Sequence, residues 1–89
     1  MTFSLHPLAE RDVAETLDFY SEQAGPVVAE RFLKEFERVA KLLVEHPGLG
    51  TPTTRGQRTL PLKVFPYSVM YKNIHLKGVF PPGISGVYF

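Results

Sequence analysis

The stretch GPVVAERFLKEFERVAKLLVEH (residues 25–46) decides the fold of this 89-residue chain. Its apolar side chains recur at the period of one face of an α-helix, at Val28, Phe32, Phe36, Val39 and Leu43. Gly25 and Pro26 stand at its start, where glycine commonly ends one helix and proline opens the next. The stretch therefore predicts an amphipathic helix from Pro26 to about His46, with another helix before it.

The residues before Gly25 predict that other helix. Pro7 suits a first helical position, with His6 as the N-cap, and the acidic Glu10 and Asp12 follow near the positive helix end. The apolar positions again keep the helical period, at Ala9, Val13, Leu17, Tyr20 and Ala24. We predict a helix over residues 7–23. Because the connection to the next helix is so short, the two should form an antiparallel hairpin.

Beyond the hairpin, a loop rich in Gly, Pro and Thr (47–57) leads into alternating apolar and polar residues, the pattern of β-strands. Residues 58–64 and 67–72 predict strands, and 74–77 are compatible with another. Leu60, Leu62 and Val64 share one face of the first strand. Tyr67, Val69 and Tyr71 share one face of the second, and we expect Tyr67 and Tyr71 to face the helices as core. Pro61 implies a bulge or an unpaired edge. No element is predicted for 78–89.

These elements predict an α+β fold. A short N-terminal strand at Phe3-Ser4-Leu5 precedes an antiparallel helical hairpin, and an antiparallel sheet of two or three further strands follows. The length predicts one domain over residues 1–89. The lack of cysteine excludes a disulfide scaffold and thiolate chemistry. We expect a cytoplasmic protein without a membrane partner, since no apolar run reaches ~18 residues and no signal peptide is visible.

Charge is distributed unevenly along the chain. Residues 1–46 carry all nine acidic side chains and five basic ones, whereas residues 47–89 carry five basic side chains and no acid. The basic half favours an anionic or acidic partner. An equally simple interpretation is that short strands contain few acids.

The sequence offers few residues for catalysis. His6, His46 and His75 lie on different predicted elements without a nearby His or Asp, and no nucleotide-binding, nucleophile or metal motif occurs. We therefore predict no catalytic residues, metal or cofactor. The remaining set combines basic and aromatic residues, which can bind phosphates and bases, cleave RNA or dock a protein: Arg55, Arg58, Lys63, Tyr67, Tyr71 and Lys72.

An ordered set of short motifs resembles the ParE/RelE toxin superfamily of type II toxin–antitoxin modules, and the ParE branch most closely. The resemblance covers residues 3–72 and rests on His6-Pro7-x-Ala9-x-x-Asp12, Asp18-Phe19-Tyr20, Ala29-x-x-Phe32, His46-Pro47-x-x-Gly50, Arg58-x-Leu60-Pro61-Leu62 and Phe65-Pro66-Tyr67-Ser68-Val69-Met70-Tyr71. It implies a toxin of the kind that stabilises plasmids, with a helical hairpin on an antiparallel sheet. It also implies neutralisation by a ParD-like antitoxin whose C-terminal segment wraps the toxin.

The branch of the superfamily decides the expected activity. RelE-like members cut mRNA on the ribosome, and the place of one of their important arginines is held here by Pro61. ParE-like members bind DNA gyrase and stabilise a cleaved-DNA state. The resemblance therefore implies a non-enzymatic gyrase inhibitor without sequence-specific nucleic-acid binding. One alternative is an mRNA endonuclease that uses Arg55, Arg58, Lys63 and Tyr71.

The other alternative is a degenerate toxin that only binds antitoxin. From residue 73 onward the chain departs from the family pattern, in which a last strand and a basic tail contribute to toxicity. Only Lys77 carries a charge after Lys72. This departure therefore bears on activity more than on the fold.

Two groups of residues follow as candidate contacts. The target should be bound by the basic residues Arg55, Arg58, Lys63 and Lys72, and the antitoxin by the apolar and aromatic residues Leu17, Tyr20, Phe32, Phe36, Tyr67 and Tyr71. On this hypothesis, alanine at Arg58 or Lys63 should weaken inhibition and leave the melting temperature nearly unchanged.

Overall fold

The computed structural model describes residues 4–73 and 75–80. Their elements, in chain order, are β1 (Ser4–Leu5), α1 (Pro7–Ala24), α2 (Pro26–Glu45), β2 (Thr51–Pro52), a 3₁₀ turn (Thr54–Gly56), β3 (Arg58–Pro61), β4 (Ser68–Lys72) and β5 (His75–Phe80). The predicted α+β class and helical hairpin are confirmed. Phe3 and Ile74, which we assigned to strands, and the tail 81–89 lie outside the described residues.

The strands form one sheet in the order β1-β5-β4-β3-β2. The pairs from β2 to β5 are antiparallel, as predicted, and the N-terminal β1 adds a parallel edge against β5. The backbone N–H of His6 donates to the carbonyl of Leu76 at 2.9 Å, which extends this edge to the start of α1. β5 is therefore an interior strand.

Both helices begin and end with the predicted residues or close to them. The Nδ1 atom of His6 accepts a hydrogen bond from the Leu8 N–H at 3.1 Å, so this imidazole is the N-cap of α1. Gly25 separates the helices at φ 92°, in a region that L side chains rarely adopt, and its N–H donates to the Ser21 carbonyl. Pro26 then opens α2.

β4 begins at Ser68, one residue later than predicted. The strand boundaries differ from the predictions at three further places. The loop 47–57 contains the two-residue β2, which is too short to show a period. β3 ends at Pro61, and its neighbour β2 pairs only with Arg58 and Thr59, so Pro61 has the predicted unpaired edge. β5 continues to Phe80, beyond Lys77, at which the predicted strand ends. Asn73, at φ 56°, supplies the left-handed turn residue before it.

The core lies between the hairpin and one face of the sheet. Both helical stripes enter it, and Val69, Tyr71, Leu76 and Val79 meet them from β4 and β5. Ala24, the last position of the predicted α1 stripe, is exposed. A carboxylate oxygen of Asp12 on α1 accepts the Val79 N–H at 3.2 Å, where β1 no longer covers the edge of β5. This bond joins α1 to an interior strand.

Candidate partner-binding surface

An aromatic cluster joins α1, α2 and the β3–β4 loop (62–67). Phe32 lies beneath Tyr20, Phe65 and Tyr67, with ring centroids 5.7, 5.5 and 5.9 Å away. The rings of Tyr20 and Phe65 meet edge to face at 5.3 Å, a favourable aromatic geometry. Burial first, and then the nearby Tyr67, raise the pKa of the Tyr20 phenol. The cluster fixes the loop against the hairpin.

Glu35 holds the other side of the same loop. Its carboxylate accepts two hydrogen bonds from Arg38, each 2.7 Å long, and a third from the backbone N–H of Lys63, also at 2.7 Å. The bonds from Arg38 lower the pKa of Glu35 against the opposing effect of burial, and the Lys63 N–H acts with them. The stabilisation is therefore present above the ordinary carboxyl pKa and is lost as the pH falls through the lowered one.

Val64, at the tip of this loop, combines strain with exposure. It has φ 74°, which for a β-branched residue is an outlier that costs roughly 1–3 kcal/mol. Its side chain is 86% exposed, so burial does not compensate. We expected Val64 in a strand, on one face with Leu60 and Leu62, and this was wrong because β3 ends at Pro61 and the backbone then turns through a left-handed conformation at Val64.

A groove of about 410 Å³ separates α2 from this loop. Val64 and Phe65 supply its apolar lining, Glu35 lies within it, and four basic residues surround it: Arg31, Lys34 and Arg38 from α2, and Lys63 from the loop. A second depression, next to the first along α2, adds Glu37 and Lys41. The groove is therefore cationic at its rim and partly apolar inside.

The loop after α2 is held by Tyr71 and Arg58. The buried hydroxyl of Tyr71 donates to the Pro47 carbonyl at 2.7 Å and accepts the Gly50 N–H at 2.9 Å. A guanidinium nitrogen of Arg58 donates to the carbonyls of Gly50 at 2.8 Å and Gly48 at 3.4 Å. These hydrogen bonds hold residues 47–50 against β3 and β4.

The four basic residues predicted to bind the target lie at two separate places. Lys63 borders the groove, whereas Arg55 and Lys72 are exposed near the 3₁₀ turn, where the Lys72 side chain passes over Gly56. β3 separates the two places by roughly 10 Å between Arg58 and Pro61. Arg58 is half-buried and already bonded to loop carbonyls. The contact of Arg58 with a target therefore stays a prediction.

Arg58→Ala should therefore destabilise the fold, contrary to our expectation from the sequence. The change removes charge-assisted bonds to two carbonyls, and such bonds contribute about 1.5–3 kcal/mol. Urea unfolding followed by circular dichroism measures the loss. Lys72→Ala, an exposed cation on the neighbouring strand, is the control and should change the free energy of unfolding by less than ~0.5 kcal/mol. Equal stability of the two variants would contradict a structural role for Arg58.

The six residues predicted to bind antitoxin fall into a buried group and a half-buried group. Phe32, Phe36 and Tyr71 are buried in the core, so a docked partner cannot touch them directly, and this part of the predicted contact set is corrected. Leu17, Tyr20 and Tyr67 are half-buried around Phe32 and keep part of their surface exposed. The predicted core orientation of Tyr67 and Tyr71 is confirmed.

Four cations of α2 that lie outside the predicted contact sets line the groove and the depression beside it. Arg31, Lys34, Arg38 and Lys41 are spaced by three, four and three residues, which places them on one helix face, and all four are exposed. The spacing is visible in the sequence. It was hidden by the acids of the same helix, because counting charge over the whole half-chain gives a net negative value.

The described part of the chain contains no metal site or membrane span that could compete with this surface. Within residues 4–73 and 75–80, His, Asp and Glu side chains nowhere gather in a group of three that could hold a metal ion. Over the same residues, neither helix has both the length and the apolar character needed to cross a bilayer.

Comparison with known proteins identifies the family. One chain of a solved structure, the chromosomal ParDE TA system from P. aeruginosa, superposes with a TM-score of 0.74 at 25% identity, over 91% of this chain and 95% of that one. No curated protein matches significantly in sequence. The family model for the ParE toxin of the type II toxin–antitoxin system parDE matches residues 3–78, beyond the stretch 3–72 on which the resemblance rested. The chain belongs to the ParE toxin family of type II toxin–antitoxin systems.

Proposed function

We propose that this ParE-family chain is a cytoplasmic toxin that inhibits DNA gyrase by binding and is neutralised by a cognate antitoxin. The match of the ParE family model to residues 3–78 carries this proposal. Binding without catalysis means that growth arrest follows from occupation of the target.

The surroundings of Arg58 and Tyr71, two residues of the alternative endonuclease set, favour binding over RNA cleavage. An endonuclease would need Arg58 and Tyr71 to reach a phosphate or a ribose hydroxyl. Here the Tyr71 hydroxyl is buried and makes two backbone hydrogen bonds, and the Arg58 guanidinium is bonded to loop carbonyls. Lys63 lies at the other end of β3. This arrangement supports a structural role for the two residues.

We propose that the antitoxin contacts the half-buried residues around Phe32. Leu17, Tyr20 and Tyr67 offer apolar surface on α1 and at the end of the β3–β4 loop. An amphipathic segment can bury such surface while its acids meet the nearby basic side chains. The gyrase contact is proposed for the exposed cations Arg55, Lys63 and Lys72.

The test is a gyrase supercoiling and DNA-cleavage assay with the purified full chain, run beside a ribosome-dependent mRNA-cleavage reaction. We expect loss of supercoiling with trapped cleaved DNA and no mRNA cleavage. Cleaved mRNA would overturn the gyrase assignment in favour of the endonuclease. Inactivity in both reactions of a chain that is folded by circular dichroism and binds its antitoxin would indicate a degenerate toxin.

A Lys63→Ala variant tests whether the Lys63 side chain contacts the target. The substitution removes the side-chain cation but keeps the backbone N–H that Glu35 accepts, so the loop should stay in place. We expect weaker inhibition by Lys63→Ala, with an unchanged melting temperature. Arg11→Ala, which removes an exposed cation from α1, is the matched control and should inhibit like the wild type. Equal inhibition by both variants would remove Lys63 from the target contact.

A further inference from the structure

Arg55, Lys72 and His75 lie together at one end of the sheet and are here called the turn patch. The Lys72 side chain passes over Gly56, where its Cε and Nζ atoms are 3.6 and 4.0 Å from the position that a Cβ would take. In the register of β4 and β5, Lys72 is directly opposite His75. All three side chains of the turn patch are exposed. The fold therefore brings two cations and an imidazole from the 3₁₀ turn and two strands to one place.

The strand residues of the turn patch point away from the helices. Tyr71 and Leu76, which adjoin Lys72 and His75 in the chain, are buried in the core, and successive side chains of a strand point to opposite faces. From the turn that leads into β3 to β5, the turn patch extends over two strand spacings, roughly 10 Å. That length equals the axial length of about three phosphates in one strand of DNA.

The charge of the turn patch is not neutralised by neighbouring acids. Residues 47–89 contain no Asp or Glu. The three ion pairs found within residues 4–73 and 75–80 each join two side chains of the same helix, so no acid of the described chain lies within 4 Å of either cation. A positive potential therefore remains over this end of the sheet, and it attracts anions.

The surroundings of the turn patch differ in chemistry from those of Lys63. Lys63 borders a groove that also contains an acid and two apolar side chains, a mixture typical of protein interfaces. Beside the turn patch lie the exposed hydroxyls of Thr53 and Thr54, and none of the exposed large apolar side chains belongs to 51–58 or 68–73. Arg, Lys and Thr side chains are the groups that commonly contact DNA phosphates.

The turn that carries Arg55 is fixed before any partner binds. The Thr53 N–H donates to the Gln57 carbonyl at 2.8 Å, and the Gln57 N–H donates to the Thr54 carbonyl at 3.2 Å. Between these bonds Arg55 is held in a left-handed conformation at φ 59°, ψ 32°. Because the backbone is already ordered, binding an anion here costs little conformational entropy.

We propose that the turn patch binds the phosphate backbone of the DNA duplex that gyrase holds, whereas Lys63 contacts gyrase itself. The inference rests on the proposed function, and it divides the three cations proposed for the target between DNA and protein. Contacts to phosphates carry no base information, so this binding is independent of sequence. A toxin that touches both components binds their complex more tightly than either one alone, which favours the DNA-bound state of the enzyme.

Binding of the full chain to a fluorescein-labelled DNA duplex, followed by fluorescence anisotropy at several salt concentrations, is the first test. Two phosphate contacts predict a slope of about −2 for log K against log[salt]. Arg55→Ala and Lys72→Ala should each flatten that slope by ~1, for duplexes of any sequence. Arg11→Ala removes the same charge from α1, where Arg11 is paired with Glu15, and should keep the slope of the wild type.

Binding of the toxin to immobilised gyrase, with and without a bound DNA duplex, is the second test. Lys72→Ala should weaken the affinity for the DNA-bound enzyme by roughly fivefold at about 0.15 M salt, the effect of one lost phosphate contact. It should leave the affinity for the enzyme without DNA unchanged. Lys63→Ala should weaken binding in both cases.

The outcomes separate this inference from the proposed function. If the wild type shows no salt-dependent duplex binding, or if Arg55→Ala and Lys72→Ala keep its slope, the inference is overturned and the gyrase proposal is unaffected. If the slopes flatten but the wild type neither binds nor inhibits gyrase, the DNA contact stands and the target is wrong. If Lys72→Ala weakens binding to gyrase without DNA, or if an RNA duplex of the same sequence binds more tightly than DNA, the turn patch serves another partner and the inference is overturned.

Discussion

Phe32→Ala should remove about 3–5 kcal/mol from the free energy of unfolding, the usual cost of deleting a buried phenylalanine. Phe32 has no exposed surface, and its ring contacts three other rings that come from α1 and from the β3–β4 loop. A chain of this length is typically stable by only ~4–13 kcal/mol. Urea unfolding followed by circular dichroism should therefore show a much lower midpoint, or a chain already partly unfolded in buffer.

Phe19→Ala is the matched control for this experiment. Phe19 is the neighbour of Tyr20 on α1, and its ring meets Tyr20 edge to face at 5.5 Å, but half of its surface is exposed. The same change in chemistry should cost less than ~1.5 kcal/mol there, mainly the value of one aromatic pair. If the two variants were equally stable, Phe32 would not be the centre of the core.

The loss at Phe32 should also affect the proposed binding surface. The rings of Phe65 and Tyr67 lie on Phe32, and these two residues fix one end of the β3–β4 loop that carries Val64. Binding of antitoxin by Phe32→Ala should therefore weaken even under conditions in which the chain remains folded. In this protein the core residues contribute to recognition through the position of the loop rather than through contact.

The helices could be predicted from the sequence because their signals are local. A period of 3.6 residues over four or five turns, with Gly25 and Pro26 between the two apolar stripes, leaves little choice in where each helix begins and ends. The end of β3 could not be found in this way. Alternation continues through Lys63 and Val64 after the strand has stopped, and a left-handed valine has no local signal that could reveal it. β2 has only two residues and therefore no period at all.

The functional residues were harder to predict because tertiary contacts decide which cations remain available. Arg58 and Lys63 look alike in the sequence, yet one guanidinium is bonded to loop carbonyls and the other side chain borders an open groove. The sequence indicates only a favourable charge for Asp12 at a helix start, whereas the bond between Asp12 and Val79 joins residues far apart in the chain. Several landmarks of the resemblance thus have structural roles in this chain.

Gly50→Ala should be the second strongly destabilising change, because the structure leaves no room for a side chain at position 50. A Cβ at Gly50 would lie 2.6 Å from the Tyr71 hydroxyl oxygen and 2.8 Å from the backbone carbonyl oxygen of Thr59. The Thr59 carbonyl belongs to β3 and cannot move without disturbing the sheet. We expect a loss of about 1–3 kcal/mol or more in urea unfolding. Gly48→Ala, where a Cβ meets nothing within 4 Å, should stay within ~0.5 kcal/mol.

A double-mutant cycle with Tyr71→Phe isolates the contact of that Cβ with the Tyr71 hydroxyl, because the ring carbon Cε1, 2.9 Å from the Cβ, remains in the variant. Tyr71→Phe alone leaves the Gly50 N–H and the Pro47 carbonyl without their partner, at about 1–3 kcal/mol for each group that stays buried. In the double variant the alanine methyl can occupy the space of the missing hydroxyl. The combined loss should therefore be smaller than the sum of the single losses by roughly 1 kcal/mol. Strict additivity would show that the Thr59 carbonyl and the ring carbon Cε1 of Tyr71, and not the Tyr71 hydroxyl, require glycine at position 50.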